Sequence, residues 1–325
     1  MNHAGWRPAA SLAVIRARAA MLARARAWFA AEQVLEVQTP LLSASAASEP
    51  QVESIVVQPS HRESMYLQTS PEYPMKRLLA AGAGDCYQIC TVFRDWESGR
   101  LHNPEFTMLE WYRTGFSVAE LQRDVDRLVR TVIGDLRSLG PARQLSYREA
   151  VAACCGLDCR TASRDDVAAV LNEHAITLSA ADDADLDTWL DLLVATVVGP
   201  RLGLDGPVFV RDYPASQAAL ARLRDDGDGW PVAERFELYL DGIELANGFH
   251  ELADAREQRS RFERDLRVRR RRGQRLVPLD ERLLAALEHG LPDCAGVALG
   301  FDRLVMSALR LPSIDAVLPF PIARA

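Results

Sequence analysis

Lysine is nearly absent from the chain: Lys76 is the only one in 325 residues, and the other basic side chains are arginines, a bias we read as compositional. No uninterrupted apolar run reaches the roughly 18 residues that cross a bilayer, so no membrane-spanning helix is expected. The six cysteines have no secretory leader beside them, which argues against a disulfide framework and for a reducing, cytoplasmic compartment. Cys154, Cys155 and Cys159 cluster without a second Cys or His pair at zinc-ligand spacing, and read as buried thiols. No Walker A sequence occurs. A net charge of -7 excludes a protein whose main task is to grip nucleic-acid phosphates along a broad surface.

What is present is a globular composition, 48% hydrophobic, long enough to bury a sizeable core. Residues 7–28 are rich in Ala and Arg, with no acid before Glu32. Leu12, Ile15, Leu22 and Phe29 recur there at helical spacing, so the stretch reads as an amphipathic helix rather than a transit peptide. A short strand over 34–42 is stopped by Pro40, and 43–60 read as loop. Ser70 and Pro71 then start a helix with Glu72 in its first turn, where the positive helix end favours a carboxylate.

Residues 86–113, CYQICTVFRDWESGRLHNPEFTMLEWYR, read as two strands joined by a charged loop. Period-2 geometry in the second strand puts Phe106, Met108, Glu110 and Tyr112 on one face, and Thr107, Leu109, Trp111 and Arg113 on the other. The loop carries Arg94, Arg100, His102 and Asn103, donors that either hold an anion such as a polyphosphate or sit solvated. From about 117 to 205 the pattern is mainly helical, with Leu121, Val125, Leu128 and Val132 on one face and an acidic cluster at Asp182, Asp183, Asp185 and Asp187. No chemistry is assigned to it.

Another strand is expected over 208–214. Asp241-Gly242 between two apolar runs is a hairpin signal, pairing Leu240 with Ile243 and Tyr239 with Glu244, and placing Glu237 opposite Ala246. Glu237 and Glu244 then converge on one face, which suits a divalent cation or an ordinary wet sheet face. A helical Arg run, Arg267, Arg269, Arg270, Arg271, Arg272 and Arg275, is either a solvated face or a docking surface for an acidic macromolecule. Near the end, Gly296, Ala298 and Gly300 thin one side of a strand that leads into a helix near Asp302, with Arg303 placed to lie over a base.

The loop string, opened by Arg94 and closed by HNPEFTM-E-Y, resembles motif 2 of class II aminoacyl-tRNA synthetases in their lysyl branch. Gly-x-x-x-Gly-x-Asp-Arg at 296–303 resembles motif 3. VLEVQTPLL at 34–42 resembles motif 1, with Gln33 where a glycine is usual. The resemblance spans the chain and implies an α+β fold, an antiparallel sheet flanked by helices, as one catalytic domain over 1–325. It implies ATP and Mg2+ as well. Arg94 and Arg303 become the catalytic arginines. The nucleotide would be held by Arg94, Asp95, Trp96, Arg100, His102, Asn103, Phe106, Glu244, Leu245, Gly300 and Arg303. The amino acid would be held by Ser70, Pro71, Glu72, Glu110, Tyr112, Asn247, Glu251 and Ala298, and the metal by Glu237 and Glu244.

Lysyl-tRNA synthetases carry an OB-fold before the catalytic domain, whereas this chain begins almost at motif 1. It is thus similar to the free-standing branch that joins (R)-β-lysine to translation elongation factor P, with tRNA an improbable partner and a homodimer expected. Ser216 and Ala298 depart from the lysyl pattern, where Glu and Gly are general, and fit an amino acid whose amino group has moved by one carbon. Asp95-Trp96 departs too, since the family has Arg-x-Glu and here Glu97 comes one place late. A tRNA-charging fragment and an inactive regulatory paralogue are the other readings, the second favoured by Trp96. Neither class I signature is present, so a Rossmann-type ATP site is not expected.

Overall fold

Short polar side chains set the helix starts. Ser11, Ser117, Ser146 and Ser163 each accept the amide three residues on, and Asp185, Asp254 and Asp280 do the same work with a carboxylate. The computed structural model describes residues 6–60, 63–176 and 185–325. Asp182 and Asp183 of the acidic cluster lie outside these.

The described residues divide into two compact units, 1–138 with 251–325, and 139–250. In chain order the first unit contributes α1 (Leu12–Ala31), β1 (Leu35–Glu36), β2 (Leu42–Ser43), β3 (Val56–Val57), β4 (Met65–Leu67), α2 (Glu72–Ala80), β5 (Cys86–Phe93), β6 (Glu105–Thr114) and α3 (Val118–Ile133). The second holds β7 (Arg143–Ser146), α4 (Tyr147–Cys155), α5 (Arg164–Glu173), α6 (Leu186–Leu193), β8 (Val208–Pro214), β9 (Leu223–Asp225), β10 (Pro231–Leu240) and β11 (Ile243–His250). The chain then returns to the first unit with α7 (Ala255–Arg271), α8 (Glu281–Gly290), β12 (Cys294–Gly300) and α9 (Phe301–Ala308).

In the first unit the strands run β1-β5-β6-β12, antiparallel except for the short parallel pair of β1 and β5. A small sheet, β2-β4-β3, lies apart from it. The alternation expected in β6 holds: Leu109 and Trp111 are fully buried on one face. There Phe29 of α1 stacks on Tyr87 at 4.0 Å and meets Trp111 edge-on at 5.6 Å. Truncating Trp111 would cost about 3–5 kcal/mol. The buried line of α1 is Met21, Ala25 and Phe29, while Leu12 is exposed, so the expected face was correct at Phe29 and wrong at Leu12. Gln33, just before the motif 1 strand, takes a φ of 57°, the left-handed conformation glycine adopts without strain.

In the second unit the order is β11-β10-β8-β7, with β9 added to β10; among the described residues only β7 and β8 are parallel. Tyr147, Val151, Leu171, Leu190, Val197 and Val208 form its core. The Asp241-Gly242 turn has φ of 57° and 72°, the two positive values that a two-residue hairpin of this hand demands. The register beyond it differs from expectation. Leu240 pairs with Ile243 and Tyr239 with Glu244, but a bulge then shifts the ladder so that Leu238 faces Ala246 and Glu237 faces Asn247. Leu245 is the extra residue.

The Arg run also splits. Arg269 is fully buried and donates to the Arg275, Glu49 and Val52 carbonyls and to the Glu53 carboxylate, whereas Arg264, Arg267, Arg270 and Arg271 are exposed. One arginine of the run is therefore a structural pin, not part of a solvated face.

Candidate active site

In the first unit, the start of α2, the adjacent strands β6 and β12, and the residue that follows β11 bring a set of acids together. Ser70 stands just before α2; its hydroxyl accepts the Glu72 amide at 3.0 Å and donates to Glu110 Oε2 at 2.6 Å. Pro71 is the residue before the first helical turn and leaves Glu72 in it. Tyr112 donates to Glu110 Oε1 at 2.7 Å, so both oxygens of this 2%-exposed carboxylate are occupied. Burial, then the charge of Glu72, pushes the Glu110 carboxyl up to about 8, against the pull of its two hydroxyl donors.

A residue read only as a quirk of composition closes this cluster. Lys76 is 1% exposed, with Nζ 2.7 Å from Glu72 Oε1 and 2.6 Å from Glu251 Oε2. Burial alone would lower its pKa, but Glu251 and Glu72 together outweigh that and raise it. The sequence held one signal, the spacing of four between Glu72 and Lys76 on a helix.

β12 lies antiparallel to β6 with Gly296 opposite Tyr112, Ala298 opposite Glu110 and Gly300 opposite Met108. The small side chains are needed at one of these positions above all. A Cβ on Gly296 would stand 2.3 Å from Tyr112 Cε1 and 2.5 Å from Glu251 Oε1. Gly300 is not crowded in this way, its nearest neighbour being the Arg303 side chain at 3.6 Å.

The loop between β5 and β6 carries the basic groups. Arg94 lies 5.2 Å from the centre of the Phe106 ring and 3.6 Å from Glu97, which is also 4.0 Å from His102. Arg303, in the first turn of α9, reaches His102 Nε2 at 2.7 Å and the Leu101 carbonyl at 3.3 Å. Burial and then Arg303 lower the His102 pKa, favouring the neutral ring. Arg94 and His102 thus flank Glu97, whose displacement is all the sequence shows of it, with Phe106 against Arg94 and Arg303 against His102.

Other members of the loop do different work. The Asn103 amide donates to the Glu105 carbonyl at 2.6 Å, and its oxygen accepts the Ile322 amide at 2.9 Å, so this buried side chain ties the loop to the chain end. Arg100 is exposed, and its carbonyl accepts from Ile314. Asp95 accepts the Trp96 amide, and Trp96 is 86% exposed with a φ of 63°.

The remaining predicted residues lie in the second unit. Glu237 accepts from Arg235 at 2.5 Å and from the Tyr239 hydroxyl at 2.6 Å, and Asn247 accepts from Arg235 Nε at 3.1 Å. The bulge at Leu245 is what allows Glu244 and Asn247, three apart, to share a face with Glu237 and Tyr239. Without it, Ala246 would stand where Asn247 does. Ser216 donates to Asp187 at 2.8 Å. Among the described residues no group of three or more His, Cys, Asp or Glu could hold a metal unaided. Two carboxylates are nevertheless what magnesium takes from protein when phosphates complete its shell, and each Glu237 oxygen keeps a second lone pair.

The class II tRNA synthetase family (D, K and N) matches residues 2–324. The elongation factor P-(R)-β-lysine ligases of Klebsiella pneumoniae and Salmonella gallinarum are each 46% identical over 327 residues, covering 99% of both chains. That of Pseudoalteromonas translucida is 45% identical over 325 residues, covering 98% of both.

Proposed function

The chain belongs to the class II tRNA synthetases (D, K and N), and from that premise we propose that it activates (R)-β-lysine with ATP and transfers it to a lysine of translation elongation factor P. The similarity to ligases of that name over 99% of both chains carries the reading. The buried acids around Glu110 and Glu251 support it, because a desolvated ammonium needs paired carboxylates.

The substrate carboxylate attacks the α-phosphorus of ATP and pyrophosphate leaves. An amine of the acceptor protein then attacks the acyl carbon, the C–N bond forms, the bond to the phosphate oxygen breaks, and AMP departs with the proton passing to solvent. Arg94 binds the α-phosphate and stabilises the charge that develops there. Arg100 and His102 face the outer phosphates, while Phe106 and Arg303 hold the adenine. Glu110, Tyr112 and Glu251 hold the distal ammonium, with Glu72, Ser70 and Asn247 on the substrate's other polar groups. Glu237 and Glu244 supply carboxylates for magnesium, which when bound spreads phosphate charge. The exposed Leu35 and Leu41 in the motif 1 stretch support pairing of two copies.

Incubation with ATP, labelled (R)-β-lysine and either elongation factor P or tRNA tests the reading. Label is expected on elongation factor P; label on tRNA alone would reject it. Trp96 in place of the family's Glu favours one other reading, a catalytically silent binding protein. Well-folded protein without β-lysine-dependent pyrophosphate exchange would establish that one instead.

A further inference from the structure

Lys76 is the one amine side chain of this protein, and it lies inside the cluster of acids assigned to the substrate's ammonium. Here Nζ bridges two carboxylates from separate parts of the first unit, Glu72 on α2 and Glu251 after β11, and fixes one oxygen of each. The other oxygen of Glu251 stands over Gly296, where β12 has no side chain to obstruct it. Glu110 and Tyr112 complete the polar surroundings and bond to each other rather than to Lys76.

We propose that Lys76 is the fixed counter-ion of the amino-acid pocket: a positioning residue whose ammonium aims Glu72 and Glu251 and leaves the pocket short of one cation, which the substrate's distal ammonium supplies. The inference deepens the ligase reading and rests on it. Without Nζ, Glu72 and Glu251 repel, one of them takes a proton, and the pocket loses an acid that should read the substrate. The same pairing has a chemical consequence. Acyl transfer to an amine needs its lone pair, so a Lys76 kept protonated by two carboxylates does not capture the activated acyl group formed beside it. The positive charge of Nζ and its two partners serve both ends.

Because there is one lysine, labelling lysine with 15N at Nζ gives a single side-chain resonance. An ammonium signal is expected that persists on titration well beyond the ordinary lysine range and moves when (R)-β-lysine is added. A signal that titrates normally, or ignores β-lysine, overturns the inference. In pyrophosphate exchange Lys76→Met should raise KM for β-lysine at least about tenfold with kcat within about threefold, and Lys76→Arg should recover most of the loss. A purely structural lysine would instead lower Tm and leave KM unchanged, and a β-lysyl adduct on Lys76 after turnover would equally refute the proposal. If Lys76→Met does not fold, the resonance of the wild-type protein decides alone. Movement of that resonance without any exchange activity would support this inference while rejecting the ligase reading.

Discussion

The two halves of the first unit's chemistry are built in opposite ways. In the amino-acid pocket Glu110, Lys76 and Glu251 are buried and the polar groups answer one another: Glu110 by two hydroxyls, Lys76 by two carboxylates. In the loop between β5 and β6, Arg94 stands half-buried beside Glu97, Arg100 is exposed, and Trp96 projects into solvent. The pocket is preorganised and pays for selectivity with buried charge, whereas the loop keeps its cations available to an incoming polyanion. Changes in the pocket should therefore alter binding and folding together, and changes to the loop's cations should alter chemistry alone.

The sharpest break of that comparison is Arg94→Ala. Exchange should fall by about three orders of magnitude, with an unchanged melting curve, since removal of a charge-stabilising donor typically costs 10²–10³ and here a full cation is lost. Near-normal exchange would show that the loop does not face the phosphates. Glu251→Gln strips a carboxylate from both Lys76 and the substrate, and should weaken substrate binding by on the order of 2–5 kcal/mol while lowering Tm. If apparent affinity stays the same, Glu251 does not belong in the pocket.

Gly296→Ala comes next. Its Cβ would overlap the Tyr112 ring and Glu251, so both must shift, at roughly 1–3 kcal/mol in stability and about a tenfold rise in KM. Wild-type KM in this variant would mean that the strand yields without disturbing the acids.

The pH dependence separates the halves further. The folded chain holds a proton on Glu110 up to about 8, where an unfolded chain would have released it near the ordinary value of 4.5. The folded state therefore binds more protons in this window, and stability falls as pH rises through it. Thermal melts from pH 5 to 9 should show Glu110→Gln gaining on wild type up to about pH 8 and then running parallel; a constant gap would mean that Glu110 is ionised throughout. The smallest effect belongs to the loop tip. Trp96→Gly relieves a left-handed backbone and removes little packing, so Tm should rise slightly, for about 1 kcal/mol. A fall would reveal a contact that the exposed ring makes.

How much could be read beforehand followed the physics of each element. The face of β6 bearing Glu110 and Tyr112 was legible because strand periodicity is local. The Asp241-Gly242 turn was legible for the same reason, but the bulge at Leu245 was not, since an apolar residue inside an apolar strand gives no sign that it is unpaired. Ionic partners were hardest. Lys76 and Arg269 look like surface cations in sequence, and only tertiary packing shows one inside the pocket and the other threaded among carbonyls. Asn103 showed the reverse, a residue chosen for its donors whose amide ties the loop to the chain end.

Pyrophosphate exchange with a truncated substrate tests the central claim most directly. If the buried acids read a distal ammonium, (R)-β-lysine supports exchange and 3-aminohexanoate, which lacks the terminal amine, is slower by at least about a hundredfold in kcat/KM. Equal rates with the two would contradict the account, because the acids around Lys76 would then have no substrate charge to recognise.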